Sequence, residues 1–327
     1  MRAYHTGKFL PTSYRSLQNM IPMTMRTALL VGLATTAAFT SCKKEEDPAP
    51  APSPSGPNLV LKFKFDSTQV RLDNLGQPST IPAGHAAQSP RFNKMSAHYV
   101  EFAPTAWTAL GSGAVVYHAP ETNAGGATAI DFNQSVKAGD GEVFLSVPLS
   151  TLDAGTYEWL RVSLAYQNYD IDFRYTDTQF GTGTYDLEGT VASFIGYNTY
   201  ISSFVVHQQS VAVNDDRLQG FWAFEVIDPI VPTAPVSGQA PAGATTVPNP
   251  LASTSPIPAG SCVVTGEFAQ PLVITGAETE DVVITVSLST NNSFEWQDNG
   301  DGLYEPGAPA FDVVTDMGVR GLIPIVE

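Results

Sequence analysis

From residue 59 onward apolar side chains recur at every second position. Leu59, Leu61, Phe63 and Phe65 fall on one face and Lys62 and Lys64 on the other, the period of a half-buried strand. The same reading predicts strands over 143–147, 157–166, 171–175, 190–195, 200–206, 221–227, 262–268, 272–275 and 282–288. Clusters of turn formers separate them: Ala138-Gly139-Asp140-Gly141, Asp153-Ala154-Gly155-Thr156, Gly181-Thr182-Gly183 and Val213-Asn214-Asp215-Asp216. Asn, Asp and Gly accept the backbone angles that tight turns need. Many short strands with such turns predict an all-β fold, an antiparallel β-sandwich of immunoglobulin-like or related type. Residues 97–110 contain Pro104 and predict at most a short turn.

The first 41 residues follow a different pattern. Arg2, Lys8, Arg15 and Arg26 precede any acidic residue, and a compact apolar run, Ala28-Leu29-Leu30-Val31-Gly32-Leu33-Ala34, follows. A run of about 12 residues is too short to span a bilayer, which takes about 20. It has the basic and apolar regions of a secretory signal. The run ends in Phe39-Thr40-Ser41-Cys42. A small residue before a Cys at this place resembles the bacterial lipobox, although Phe39 stands where Leu is usual. That resemblance implies cleavage before Cys42 and acylation of it, palmitate included. The next residues, Lys43-Lys44-Glu45-Glu46-Asp47, resemble the acidic surface-export tag of lipoproteins in Bacteroidota. The implied address is the outer face of the outer membrane, with the periplasmic face as the alternative. Residues 47–58 alternate Pro with small residues, the composition of a semi-rigid polyproline II spacer.

The domain organisation expected is a signal over 1–41, a lipidated tether over 42–58 and a β-sandwich over 59–327. The segment 228–260 carries eight Pro and reads either as a packed loop of one domain or as a linker to a small domain. A 67-residue all-β domain (261–327) without disulfide or metal would be marginal.

Charge adds an exclusion. The whole chain of 327 residues has 16 basic and 32 acidic residues, net −16. Removing the signal, which holds four of the basic residues, takes the net charge to −20. Binding to nucleic-acid phosphates is not expected at this acidity. Of two Cys, Cys42 is assigned to lipid, which leaves Cys262 as an inert thiol at a strand start.

Candidate chemistry is sparse. Gly111-Ser112-Gly113 lacks the spacing of a nucleophile elbow, and zinc-helix, P-loop and dinucleotide signatures are missing from the sequence. No enzymatic activity is therefore expected. His85, His98 and His118 fall within 34 residues, but their spacing matches no compact metal signature, and His98 and Tyr99 are expected on opposite strand faces. The run Gln297-Asp298-Asn299-Gly300-Asp301-Gly302-Leu303-Tyr304-Glu305 is open to two readings. Asn-Gly and Asp-Gly steps suit a β-hairpin turn. Closely spaced oxygens on Asp298, Asn299, Asp301 and Glu305 suit Ca²⁺, and the run partly resembles an EF-hand loop. Trp107, Trp159, Trp222 and Trp296 are expected mainly in cores. Arg161 and Arg320 are expected to pair with carboxylates.

Two stretches, 154–164 (Ala-Gly-Thr-Tyr-Glu-Trp-Leu-Arg-Val-Ser-Leu) and 314–322 (Val-Thr-Asp-Met-Gly-Val-Arg-Gly-Leu), are similar to segments of uncharacterised β-sandwich surface lipoproteins of Bacteroidota. That resemblance implies the fold and the location and brings no site residues. The expected function is a non-catalytic binding or interaction module held to the membrane by its lipid, with a glycan, a protein or a divalent ion as ligand. The alternatives are an accessory carbohydrate-active hydrolase and a purely structural surface protein.

Overall fold

The protein was analysed as a computed structural model, which describes residues 56–178, 181, 183–227, 229, 233–240 and 262–327. The signal, Cys42, the tag Lys43–Asp47 and most of the tether lie outside the described residues, as do 241–261. The described chain is an all-β sandwich with one single-turn 3-10 helix at Leu149–Thr151.

The first sheet contains β1 (Asn58–Asp66), β7 (Val143–Pro148), β15 (Val282–Ser289) and β18 (Leu322–Val326), in the order β18-β15-β1-β7. Its centre departs from the antiparallel expectation, because β1 and β15 pair in parallel, Leu59 opposite Val282 through Asp66 opposite Ser289. The second sheet holds β3 (Arg91–Ala103), β4 (Ala114–His118), β8 (Gly155–Asp177), β9 (Gly183–Phe194), β12 (Phe221–Ile227) and β13 (Val236–Gln239), in the order β13-β12-β9-β8-β3-β4. Strand β14 (Val263–Ile274) also joins β8. The main core lies between these sheets. It is built from Leu59, Leu61 and Phe63 of β1, Ile284, Val286 and Leu288 of β15, and Leu160, Val162 and Leu164 of β8, the period-2 face expected of such strands.

Strand β8 is 23 residues long, longer than the sandwich it enters. Its first half pairs with β14 and its second half with β9. The second half needs cover of its own. On it packs a third sheet, β11 (Ser210–Leu218), β10 (Asn198–Val205), β6 (Ala129–Asp131) and β5 (Glu121–Thr122). Phe132, Tyr166, Phe194, Phe204 and Phe221 form that smaller core. A fourth sheet, β17 (Val313–Met317), β16 (Phe294–Gln297) and β2 (His85–Gln88), brings Phe294 and Trp296 onto Tyr169, Ile171 and Val191. Leu164 faces the main core and Tyr169 the fourth sheet, so the burial parity changes along β8. The register slips there, Ser96 opposite Tyr166 but Ala97 opposite Leu164, leaving Ala165 extra. A bulge of this kind re-aims the residues beyond it.

The last 66 described residues are not a separate domain, since β14 pairs with β8 and β15 with β1. The predicted pairs of strands 157–166 with 171–175 and 262–268 with 272–275 are single strands, β8 and β14. The predicted turn at 213–216 is a correction. These residues lie inside β11, where the register slips against β10 and Asn214 takes φ +52°, a bulge and not a chain reversal. Residues 97–103, whose His98 and Tyr99 are expected on a strand, belong to β3.

Arg161 lies directly opposite Glu101 across β8 and β3. Both are fully buried, and Arg161 Nη2 stands 2.9 Å from Glu101 Oε1. Arg161 Nη1 also donates to the Thr108 carbonyl, and Gly111 N–H donates to Glu101 Oε2 at 2.7 Å. Gly111-Ser112-Gly113 thus caps a buried carboxylate. Gly113 is required there, because a Cβ would meet the Phe102 carbonyl oxygen at 2.2 Å. Arg320 pairs with Asp316, so both arginines found the carboxylate partners expected of them.

Candidate functional site

Among the described residues a cavity of about 560 Å³ lies between β9 and β12 on one side and β16, β17 and the loop after β16 on the other. Its walls include Val191, Trp222, Phe224, Phe294, Tyr304 and Val314. Alternation explains the β12 contribution: Phe221 and Ala223 enter the smaller core while Trp222 and Phe224 point the other way. Phe224 lies across the backbone of Gly189, where a Cβ would meet its ring at 2.2 Å. The Phe173 ring meets Phe224 edge-on at 5.3 Å. Polar groups at the cavity are few and include Ser193, Gln239, Thr315 and Asp316. Ligand pockets of about 300–1,000 Å³ with mostly apolar walls and a few polar groups are the usual small-molecule sites.

Among the described residues the cavity is lined by one carboxylate. Asp316 is its carboxylate, and it is engaged by Arg320. Glu101 is held above the ordinary carboxylate range by burial, with Arg161 and Gly111 opposing, but it is sealed under the Gly111–Gly113 cap. Asp312 is also raised, first by burial and then by Asp298 and Asp301. It accepts a hydrogen bond from Glu305 N–H at 2.9 Å and does not line the cavity.

A smaller polar cavity of about 190 Å³ is lined by Arg71, Glu295, Asp316 and Arg320 among others. Glu295 is nearly buried and receives Arg71 Nη2 at 3.1 Å and His85 Nδ1 at 2.7 Å. Arg71 is pushed below its usual value by burial and by the Arg320 charge, with Glu295 opposing. These contacts join β2, β16 and the loop after β1, a structural role.

The acidic loop joins β16 to β17 through residues 298–312, longer than a tight hairpin turn. Its side chains face its own backbone. Asp298 accepts from Gly300 and Gly302 N–H at 3.0 and 3.1 Å, Asn299 from Asp301 N–H at 3.2 Å, and Asp301 from Leu303 N–H at 3.0 Å. Asn299 Nδ2 donates to Glu305 Oε2 at 3.2 Å. Gly300 and Gly302 take φ +107° and +74°, as the Asn-Gly and Asp-Gly steps require. Asp298, Asp301 and Glu305 do not converge; among the described residues the one such group is elsewhere.

That group is His98, His118 and Glu121. Sequence reasoning missed it, because it placed His98 and Tyr99 on opposite faces. In β3 the register runs from Ala97 opposite Leu164 to Tyr99 opposite Ser163, so His98 is an extra, bulged residue. The bulge brings both rings together at 4.5 Å. No periodicity in the sequence signals it. His85 and His207 lie elsewhere, His85 on Glu295 and His207 beside Thr190.

The four Trp divide. Trp296 is buried, Trp159 and Trp222 are half-buried, and Trp107 is 64% exposed. Cys262 is buried and its thiol is pushed up to about 12 by burial, which makes it inert at neutral pH. No family model, curated protein or solved structure matches the chain.

Proposed function

We propose that the chain is an outer-membrane lipoprotein, displayed on the cell surface, whose β-sandwich is a non-catalytic binding module for an apolar small molecule. The observation that carries the binding reading is the 560 Å³ cavity walled by Trp222, Phe224, Phe294 and Tyr304. Aromatic walls with few polar groups favour burial of apolar ligand surface, about 25 cal/mol per Å² removed from water. A hydrolase would need two carboxylates across a cleft, and this cavity offers Asp316 alone among the described residues. The lipid anchor and the surface address rest on the sequence of residues 26–47.

Two experiments test these halves separately. In cells fed radiolabelled palmitate, the protein is expected to take up label and Cys42→Ala to lose it; label retained by the variant contradicts the anchor. Titration of the purified protein with anilinonaphthalene sulfonate is expected to give saturable fluorescence with one site per chain. Val236 stands at the cavity rim and is 55% exposed, so Val236→Trp has room to fold and to obstruct the entrance. That variant is expected to weaken binding at least tenfold without lowering the melting temperature. Binding that is absent, or unchanged by the plug, contradicts the cavity as the site.

A further inference from the structure

We propose that His98, His118 and Glu121 form a binding site for a divalent transition metal of the zinc class, separate from the apolar cavity. The three side chains come from β3, from the end of β4 and from β5. The bulge in β3 turns His98 toward the reversal after β4, and Ala119 N–H ties that reversal to the His98 carbonyl at 2.8 Å. His118 and Glu121 flank the Ala119-Pro120 step and project to the same place.

Glu121 Oε1 stands 2.9 Å from His98 Nε2 and 3.2 Å from His118 Nε2. All three ligand atoms lie within 4.8 Å of one another. Two ligands bound to zinc at about 2.0–2.1 Å in tetrahedral geometry stand about 3.4 Å apart. The spacings at Glu121 therefore need shifts of a few tenths of an ångström. Two His and one carboxylate are a set that binds zinc and leaves a fourth position open.

Each imidazole is held by an aromatic ring. Tyr197 stacks on His98 with centroids 5.0 Å apart, and Tyr99 stacks on His118 at 4.2 Å. A ligand histidine is usually oriented by a hydrogen bond from its second nitrogen. His98 Nδ1 is buried without such a partner, and the Tyr197 ring takes over the orienting role. The Tyr197 hydroxyl stands 3.4 Å from Glu121 Oε1 and 3.3 Å from the Thr128 carbonyl. It is placed to donate to either oxygen.

Charge and access favour a cation. His98 is almost fully buried, at the closed side of the group. The His118 side chain is 43% exposed and that of Glu121 29%, so the open side of the group faces solvent. In a protein of net charge −16 the surrounding field also attracts cations. The rival account is a hydrogen-bonded His–Glu–His cluster that binds no ion.

Calorimetric titration of EDTA-stripped protein with Zn²⁺ distinguishes the two. One ion per chain is expected, together with a rise in melting temperature. Co²⁺ in place of Zn²⁺ is expected to give visible d–d bands. His118→Ala, a half-exposed position that the fold tolerates, is expected to weaken Zn²⁺ at least tenfold and to abolish the bands. Glu121→Gln is expected to do the same, whereas His207→Ala leaves both unchanged. Absence of saturable binding by the folded wild type, or equal affinity in the His118 and Glu121 variants, overturns the site. Dye binding in the apolar cavity is unaffected by either result, so this inference and the proposed function fail separately.

Discussion

Arg161→Met is expected to destabilise the fold by about 3–5 kcal/mol, the usual cost of leaving one partner of a buried ion pair alone. Arg161 and Glu101 are both 0% exposed, so no water can take over the lost interaction. Glu101 would keep its bond from Gly111 N–H but lose the only cation within reach among the described residues. It would then meet the desolvation cost by holding its proton to higher pH. Its folded pKa, already raised by burial, would rise further above the unfolded value. For an acid raised in the folded state, stability falls as pH climbs from the unfolded to the folded pKa. The defect should therefore be full at neutral pH and should shrink as pH approaches 4.5. Adding Glu101→Gln removes the charge and retains an oxygen for Gly111 N–H, so the double variant should recover much of the loss at pH 7. Urea unfolding at pH 5 and pH 7.5 measures all of this. A loss below about 1 kcal/mol, or one that ignores pH, contradicts the role assigned to the pair.

Trp296→Ala is the second large effect, about 3–5 kcal/mol for an aromatic removed from a core. Trp296 is 1% exposed and lies between Phe294 and Tyr304, with centroids at 6.0 and 5.5 Å. It sits in the central strand of the fourth sheet, opposite Ala86 on β2 and Val314 on β17. Truncation would open a void under Phe294 and Tyr304, which wall the apolar cavity. Trp296→Phe should cost much less, because it keeps a ring and also removes an indole N–H that is buried without a partner. Thermal unfolding of both variants checks the order. Equal losses would contradict packing volume as what governs this position.

The strand content of the chain could be read from alternation because Leu59, Leu61 and Phe63, or Ile284, Val286 and Leu288, share one dry face. What failed were places where the pattern is interrupted by design of the sheet. Residues 167–170, Gln-Asn-Tyr-Asp, look like a break between two strands. They continue β8 because Asn168 Nδ2 donates to the Val206 carbonyl and Gln167 Nε2 to the Met317 carbonyl. Those partners are 38 and 150 residues away, and no local window contains them. Asn214 and His98 mark bulges, which shift facing by one residue and so defeat a period-2 argument. The parallel pairing of β1 with β15 was equally hidden, since both strands read alike in either direction.

The sites were less legible still. The apolar cavity takes walls from β8, β9, β12, β16 and β17 and the loop after β16, and most of these residues looked like ordinary core. The acidic loop drew attention through its dense oxygens, yet those oxygens are turned onto their own N–H groups. The His pair looked unremarkable because its convergence depends on the bulge at His98 and the reversal before Glu121. Only the pairing of Arg161 and Arg320 followed directly from composition, as basic residues are scarce in a chain with 16 of them against 32 acidic ones.

The central claim is that the space beside Trp222 and Phe294 receives an apolar molecule. Diffraction from crystals soaked with iodobenzene tests it most directly, through the anomalous signal of iodine. The account predicts a peak inside the cavity, within contact of Trp222, Phe224 and Phe294, that vanishes in Val236→Trp crystals. A cavity with no peak, or one closed by the protein's own atoms, would contradict it.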